Sequence, residues 1–263
     1  MIVLGFDTST PSTALAVRLA DGRTIEARDD PPAGAHPGHA TRLLEMAHDA
    51  LARAGVAWSE VDRIAVGVGP GTFTGLRVGV ATARGLAQSL AVELVGVSSP
   101  LALATTALAA DDAKVDTDDA RAAVLAVIDA RRGEAFAAAY ERGRQGAPPH
   151  ELASPRALAP QELASVVAEA ERVVESERAA GAAPRGWLAV GDGAVRFRDQ
   201  LEAAGVEVPV DASPLHLVSA AAICELGAHA ASAGLHEIVP DYRRRPDAEL
   251  ALVSAGPGGA SLR

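Results

Sequence analysis

Aromatic side chains make up only 3% of the 263-residue chain, cysteine occurs once, and Lys114 is the single lysine among 24 basic residues. Each scarcity excludes something. Without large rings, Ala, Val and Leu must fill the interior, which favours closely spaced helices and β-branched strands and leaves few platforms for stacking nucleic-acid bases. The lone Cys224, in the apolar run Ala220–Ala222–Ile223–Cys224, forms no intrachain disulfide and reads as a buried thiol. The longest uncharged apolar stretch, Leu94 to Ala110, is interrupted by Ser98, Ser99 and Pro100 and is shorter than the about 20 residues a membrane span needs. Met1–Phe6 runs into Asp7 with no basic leader, so no secretory signal is expected and a cytoplasmic location is. Acidic residues outnumber basic ones 34 to 24, and the net charge of −10 argues against an unaided grip on phosphate backbones. What is present is a 49% hydrophobic composition over a length that holds one large domain or two ordinary ones.

The hydrophobic pattern begins with a buried strand, Ile2–Asp7, a polar turn Thr8–Ser12, a second strand Thr13–Leu19 and, across Asp21–Gly22, a third from Arg23 to Arg28. A helix is expected from His39 to Ala54, with Leu43, Ala47, Leu51 and Ala54 on one stripe and Gly55 as its stop. A strand Ile64–Val68, a helix Leu76–Leu90, a strand Val92–Val97 and a third helix after Pro100 follow. Asp111 to Asp119 is acidic and reads as a boundary. Beyond it Val124–Asp129 echoes Val3–Asp7: each is an apolar strand ending in Asp, then a polar turn and a second apolar strand. That placement points to duplication of one α/β unit. Later expectations are a helix Pro160–Arg178, a strand Trp187–Val190, a helix Val195–Ala204, a strand Val206–Val210, a long helix Leu215–Ala233 and a frayed end.

The most informative motif is Gly69–Pro70–Gly71–Thr72–Phe73–Thr74–Gly75–Leu76–Arg77, between a strand and a helix. Glycines there permit close backbone approach, and a helix start offers free N–H groups to an anion. No Gly-Lys-Ser/Thr follows, so it is not a P-loop, and its spacing is not that of a dinucleotide fingerprint. A phosphate loop and a rigid structural turn both fit. In the helix after it, Gly75, Gly79, Ala83 and Ala87 recur every four residues and leave one stripe almost bare, suited to close packing within the chain or against a partner. Asp7, Thr8 and Ser9 fit either a vestigial Mg-nucleotide site or a capped turn, and Asp192 in Gly191–Asp192–Gly193 reads as a turn. The histidines form no metal motif; His36, His39 and the others read as surface or capping residues. No Gly-x-Ser-x-Gly elbow is present. Arg243–Arg244–Arg245 reads either as a phosphate contact or, beside Asp241, Asp247 and Glu249, as surface ion pairs.

Four stretches together resemble the TsaB (YeaZ) family: Val3-Leu-Gly-Phe-Asp-Thr-Ser-Thr, Gly69-Pro-Gly-Thr-Phe-Thr-Gly-Leu-Arg-Val-Gly-Val-Ala-Thr-Ala-Arg-Gly-Leu-Ala87, Gly96-Val-Ser-Ser99 and Ile128-Asp-Ala-Arg131, with Pro240-Asp-Tyr-Arg243 as a looser match. The resemblance implies an actin/hexokinase/Hsp70-like (ASKHA) α/β fold of two subdomains: residues 1–110, residues 111–240 with the last helix packing back on the first, and a tail, 241–263. It implies a non-catalytic scaffold subunit that binds and activates the catalytic paralogue TsaD and works with the ATPase TsaE. Their complex transfers a threonylcarbamoyl group to adenosine 37 of tRNAs reading ANN codons. Where TsaD-like proteins carry a metal-binding His pair, this chain has Ser98-Ser-Pro-Leu-Ala-Leu103. No catalytic residue, intrinsic cofactor or metal is therefore expected, with ATP or ADP and Mg²⁺ entering only at the level of the complex. The partner surface implied is the pair of helices His39–Ala54 and Thr74–Leu90, carried by Leu43, Ala47, Leu51, Gly75, Gly79, Ala83 and Ala87. TsaD would occupy it in a heterodimer and a second copy in an isolated homodimer, with tRNA reached indirectly and no membrane contact. The rival reading is a small-molecule kinase or ATPase of the same fold using Asp7 and the glycine-rich loop; a peptidase finds no support in these residues.

Overall fold

Alternation with a period of two organises the first sheet. In the computed structural model, which describes residues 1–32, 34–112, 123–143, 147–177 and 186–244, strand β1 (Val3–Asp7) sends Leu4 and Phe6 to one face and Val3 and Gly5 to the other. Strands β2 (Thr13–Arg18) and β3 (Thr24–Asp29) continue it antiparallel, while β4 (Arg63–Gly69) and β5 (Glu93–Ser98) pair in parallel, giving the order β3-β2-β1-β4-β5. Helices α1 (His39–Ala54) and α2 (Phe73–Leu90) bury Leu43, Ala47, Leu51, Val80, Ala83 and Ala87 against the Leu4/Phe6 face. Gly55 ends α1 in the left-handed conformation, as a C-terminal glycine does.

The second sheet repeats the plan. Strands β6 (Ala123–Arg131) and β7 (Glu134–Glu141) form the hairpin that echoes β1–β2, β8 (His150–Leu158) adds an antiparallel edge, and β9 (Trp187–Val190) pairs parallel with β6. Helix α4 (Leu163–Glu177) and the short α5 (Asp192–Arg196) and α6 (Arg198–Ala203) cover one face. Between the two sheets lie α3 (Ser99–Asp112) and α7 (Ala220–His229). Two sheets that share the order of their first four strands, each opened by a hairpin with an Asp at or near the end of its first strand, define the actin/hexokinase/Hsp70-like fold.

The scarcity of rings acquires a structural meaning in this central layer. A side chain at Gly5 would strike the Cys224 sulfur, and one at Gly227 would strike Ala65, so α7 sits directly on β1 and β4. Val3, Ala14, Ala16 and Ala65 from one sheet and Val124, Ala126, Ile128 and Ala138 from the other complete the layer. Arg63 fastens the end of α7 by donating to the carbonyls of Gly227, Ala228 and Ala230, its other edge pairing with Glu93.

Several expected elements are corrected. Strand β8 falls where no element is expected, because polar residues and Pro155 obscure an edge strand. The helix expected over Leu215–Ala233 is α7 alone, preceded by a 3₁₀ turn Pro214–His216, since the Ser219 side chain accepts from Ala222 N–H and starts a new helix. The helix Val195–Ala204 is split into α5 and α6 at the buried Phe197, and Val206–Val210 contributes only a bridge from Glu207 to Leu188. Helix α2 begins at Phe73 rather than Leu76. Of the acidic boundary, 113–119 lies outside the described residues, as do Arg245 and the frayed end.

Burial holds the Cys224 thiol well above the usual range, pushed up to about 12. In the folded protein it is expected to resist alkylation by iodoacetamide at neutral pH and to react only after urea unfolding, as mass spectrometry would show; rapid labelling of the native chain would contradict the packing described for α7.

Candidate functional site

The turn after β1 and the loop before α2 interlock. Asp7 is buried, and both its carboxylate oxygens accept hydrogen bonds: Oδ1 from Ser9 N–H (2.7 Å) and Ser9 Oγ (2.6 Å), Oδ2 from Ser99 Oγ at the start of α3 (2.6 Å). Thr8 Oγ1 donates to the Gly75 carbonyl (2.7 Å), and Thr72 N–H donates to the Ser9 carbonyl (2.7 Å). The glycines are the mould for this turn. A Cβ at Gly67 would overlap the Asp7 carboxylate, one at Gly71 would overlap Ser9, and one at Gly75 or Gly79 would overlap Thr8. The loop's Gly69–Pro70 peptide is cis.

This geometry weighs against a nucleotide at the turn. A Mg²⁺ ligand needs an open carboxylate oxygen, and a phosphate cradle needs backbone N–H groups facing outward. Here Asp7, Thr8 and Ser9 are closed off from solvent, at 1%, 0% and 0% exposed, and engage one another and the glycine-rich loop instead. Among the described residues, no group of three or more His, Cys, Asp or Glu is placed to hold a metal. The residues present do not fit a Mg-nucleotide there.

The bare stripe of α2 faces the same way. Gly75, Gly79, Ala83 and Ala87 are buried against the chain's own turn and sheet, and Leu43, Ala47 and Leu51 of α1 lie in the same core. The expectation that these seven residues form the partner surface is corrected: they hold the helices to the sheet. The outward face of the pair is different. On α1 it carries Ala40, Leu44 (52% exposed), His48 and Ala52; on α2 it carries Thr74, Arg77, Ala81, Gly85 and Gln88, and a side chain at Gly85 would meet only open space. A second small-residue stripe, Ala81 and Gly85, was present in the sequence, but periodicity alone does not say which stripe faces the sheet.

The chain's last described segment runs back along α2. Arg84 donates to the His236 and Ile238 carbonyls, Asp241 N–H donates to the Val68 carbonyl, and the Tyr242 ring packs on Phe73 with centroids 5.1 Å apart. Arg77 lies over the Phe73 ring and donates to Tyr242 Oη. Beyond it Arg244 donates to the Ala130 carbonyl and pairs with Glu134, reaching the β6–β7 hairpin.

That hairpin carries features sequence reasoning missed. Arg131 and Arg132 adopt the left-handed conformation (φ 65° and 53°) beside Gly133, where Asn or Gly is usual. Asp129 Oδ2 accepts from Arg196 Nη1 (2.8 Å) and Arg131 Nη1 (3.3 Å). Asp192, expected to be a plain turn, instead accepts from Asp129 N–H, and burial pushes its carboxyl up to about 6. Two histidines are also corrected. His39 and His216 are buried, not on the surface: His39 Nδ1 meets Thr13 Oγ1, and His216 meets the Gly191 and Pro209 carbonyls. Desolvation holds His39 below the usual imidazole range.

The duplicated two-sheet architecture places the chain in the class of actin/hexokinase/Hsp70-like proteins. Residues 31–255 match the family model described as TsaD: tRNA N6-adenosine threonylcarbamoyltransferase. The chain is 34% identical over 146 residues to the tRNA threonylcarbamoyladenosine biosynthesis protein TsaB of Escherichia coli, a match covering 56% of this chain and 58% of that one. The TsaB of Haemophilus influenzae matches at 33% over 52% of each chain, so this chain spans little more than half the length of these curated relatives. The TsaB of Bacillus subtilis aligns over 95% of this chain and 96% of its own length at 25% identity. The solved structure of YeaZ from Pseudomonas aeruginosa superposes with a TM-score of 0.70 at 26% identity, covering 92% of this chain and 99% of that one. The chain belongs to the TsaD family of sequences, in its TsaB/YeaZ branch.

Two outcomes are expected. Gly75→Ala lowers stability by about 1–3 kcal/mol through overpacking against Thr8, whereas Gly85→Ala raises it by roughly 0.5–1 kcal/mol, both read from urea unfolding. Because the folded-state pKa of Asp192 is raised, the native state holds that proton more tightly than the unfolded chain does. Stability therefore falls as pH rises from the ordinary carboxylate value of 3.8 towards about 6. Asp192→Asn is expected to flatten the slope in that window, with urea midpoints across the pH series as the measurement.

Proposed function

We propose that this chain is an accessory, non-catalytic subunit in the biosynthesis of threonylcarbamoyladenosine in tRNA. It binds the outer face of α1 and α2 to a TsaD-like catalytic paralogue, holds that paralogue in its active arrangement and helps to recruit a TsaE-like ATPase. The observation that carries this reading is the pairing of a buried, internally hydrogen-bonded Asp7 turn with an open, small-residue helix face bearing the exposed Leu44. A catalytic ASKHA protein needs its turn carboxylate free for Mg²⁺. A scaffold needs a surface onto which helices can close at short range, which Ala81 and Gly85 supply. The names of the relatives supply the pathway. Transfer to adenosine 37 of ANN-reading tRNAs is then the work of the complex, in the cytoplasm. An isolated chain uses the same face for a homodimer, and any ATP, ADP or Mg²⁺ belongs to the complex. The kinase or ATPase reading of the same fold is less favoured, since it requires Asp7 to leave its buried contacts with Ser9 and Ser99.

The test uses a substitution that the fold tolerates. Gly85 lies exposed inside a helix, so Gly85→Arg improves helix propensity while placing a long cation on the face. The variant is expected to keep its melting temperature and to lose co-purification with the TsaD-like paralogue; normal complex formation would overturn this placement of the interface. Gly79→Leu is not an equivalent test, because it collides with Thr8 and acts on folding.

A further inference from the structure

Arginines gather at one edge of this acidic chain. Arg131 and Arg132 at the β6–β7 turn, Arg196 from α5 and Arg244 from the last described segment converge on residues 129–134. Arg243 stands next to Arg244, paired with Asp241. Two guanidinium groups, Arg131 and Arg196, share a single oxygen of the buried Asp129, and each remains about half exposed (51% and 45%). The facing acids are Asp129, the half-buried Asp192, Glu134 and Asp241.

The backbone is the second observation. Two consecutive arginines hold a left-handed conformation that a side chain with a Cβ rarely adopts. An Asn at either position would satisfy the turn with less strain, so the backbone alone does not account for two arginines there; Arg131 also pairs with Asp129 while its guanidinium stays half exposed. The third is shape. Arg131, Arg132 and Gly133 are all exposed at a hairpin tip. Guanidinium forks on a protruding edge suit a run of phosphates better than a single enclosed anion.

We propose that the β6–β7 hairpin edge, formed by Arg131, Arg132 and Arg196 and braced by the largely buried Arg244, contacts the phosphodiester backbone of RNA. The choice of tRNA as the RNA rests on the function proposed above; the phosphate chemistry does not. The net charge of −10 repels a polyanion at long range, so the contact is local, weak and strongly salt-dependent, and it is measurable for the chain alone at low salt. Phosphate contacts of this kind position an RNA and carry no base specificity.

The test compares the full-length wild type with Arg132→Asn and with the Arg131→Asn/Arg132→Asn double variant, which suit the left-handed turn and so separate binding from folding. Fluorescence anisotropy with a labelled, unmodified tRNA transcript is read from about 50 mM salt upward. The double variant is expected to melt no lower than the wild type, to bind about tenfold more weakly, and to show a log–log salt slope shallower by about two. Arg23→Glu, at the β2–β3 turn, is the control and leaves binding unchanged. Wild-type affinity and slope in the double variant would overturn the proposal, as would a wild type with no salt-dependent binding. Binding of ATP or inorganic phosphate that depends on these arginines, without binding of the transcript, would overturn RNA in favour of a small anion. Failure of the pathway reading is separable: a chain dispensable for tRNA modification whose RNA binding still falls in the double variant keeps this edge and loses that reading.

Discussion

The close approach of the β1 turn to the start of α2 is the constraint on which the rest depends. Four positions without side chains, Gly67, Gly71, Gly75 and Gly79, let Asp7, Thr8 and Ser9 sink between strand and helix. Once there, Asp7 is satisfied by Ser9 and by Ser99, which also fixes where α3 begins. Buried carboxylates are tolerated when hydrogen-bonded, and this one accepts three hydrogen bonds. The same arrangement that gives the turn its rigidity removes the open carboxylate that a Mg-nucleotide chemistry would need. Structure and proposed role are thus linked through one residue: a buried, closed turn is what the proposed supporting role would permit.

Close packing recurs one layer deeper. Gly5, Ala65, Cys224 and Gly227 bring α7 onto the first sheet, and the alanines of β6 and β7 bring the second sheet onto α3 and α7. The low aromatic content is the composition that such thin layers require. It also leaves the outer surface of α2 small, which is what makes a close helix–helix contact with a partner feasible.

Much of the first half was legible in the sequence because its signals are local. Alternation in Val3–Asp7 and Thr13–Arg18, Gly55 after α1 and the glycine-rich loop before α2 each carry their own geometry. The echo of Asp7 in Asp129 revealed the second sheet for the same reason. What stayed hidden depends on contacts between distant segments. The spacing of Gly75, Gly79, Ala83 and Ala87 defines a stripe but not its direction, and only the overlap with Thr8 shows that it points inward. The arginine edge joins residues from 131 to 244, and its clearest mark, positive φ at Arg131 and Arg132, leaves no trace in composition. Strand β8 is masked by Pro155, tolerated because the strand is at an edge.

The central claim is that this chain enables a modification whose chemistry resides in its partner. The most direct measurement is reconstitution of threonylcarbamoyl transfer to a tRNA transcript with the cognate TsaD- and TsaE-like proteins, with and without this chain. The account predicts that omission abolishes sustained product formation, and that a chain with Asp7 replaced by Asn restores it whenever that variant folds. Full activity without the chain would contradict the account.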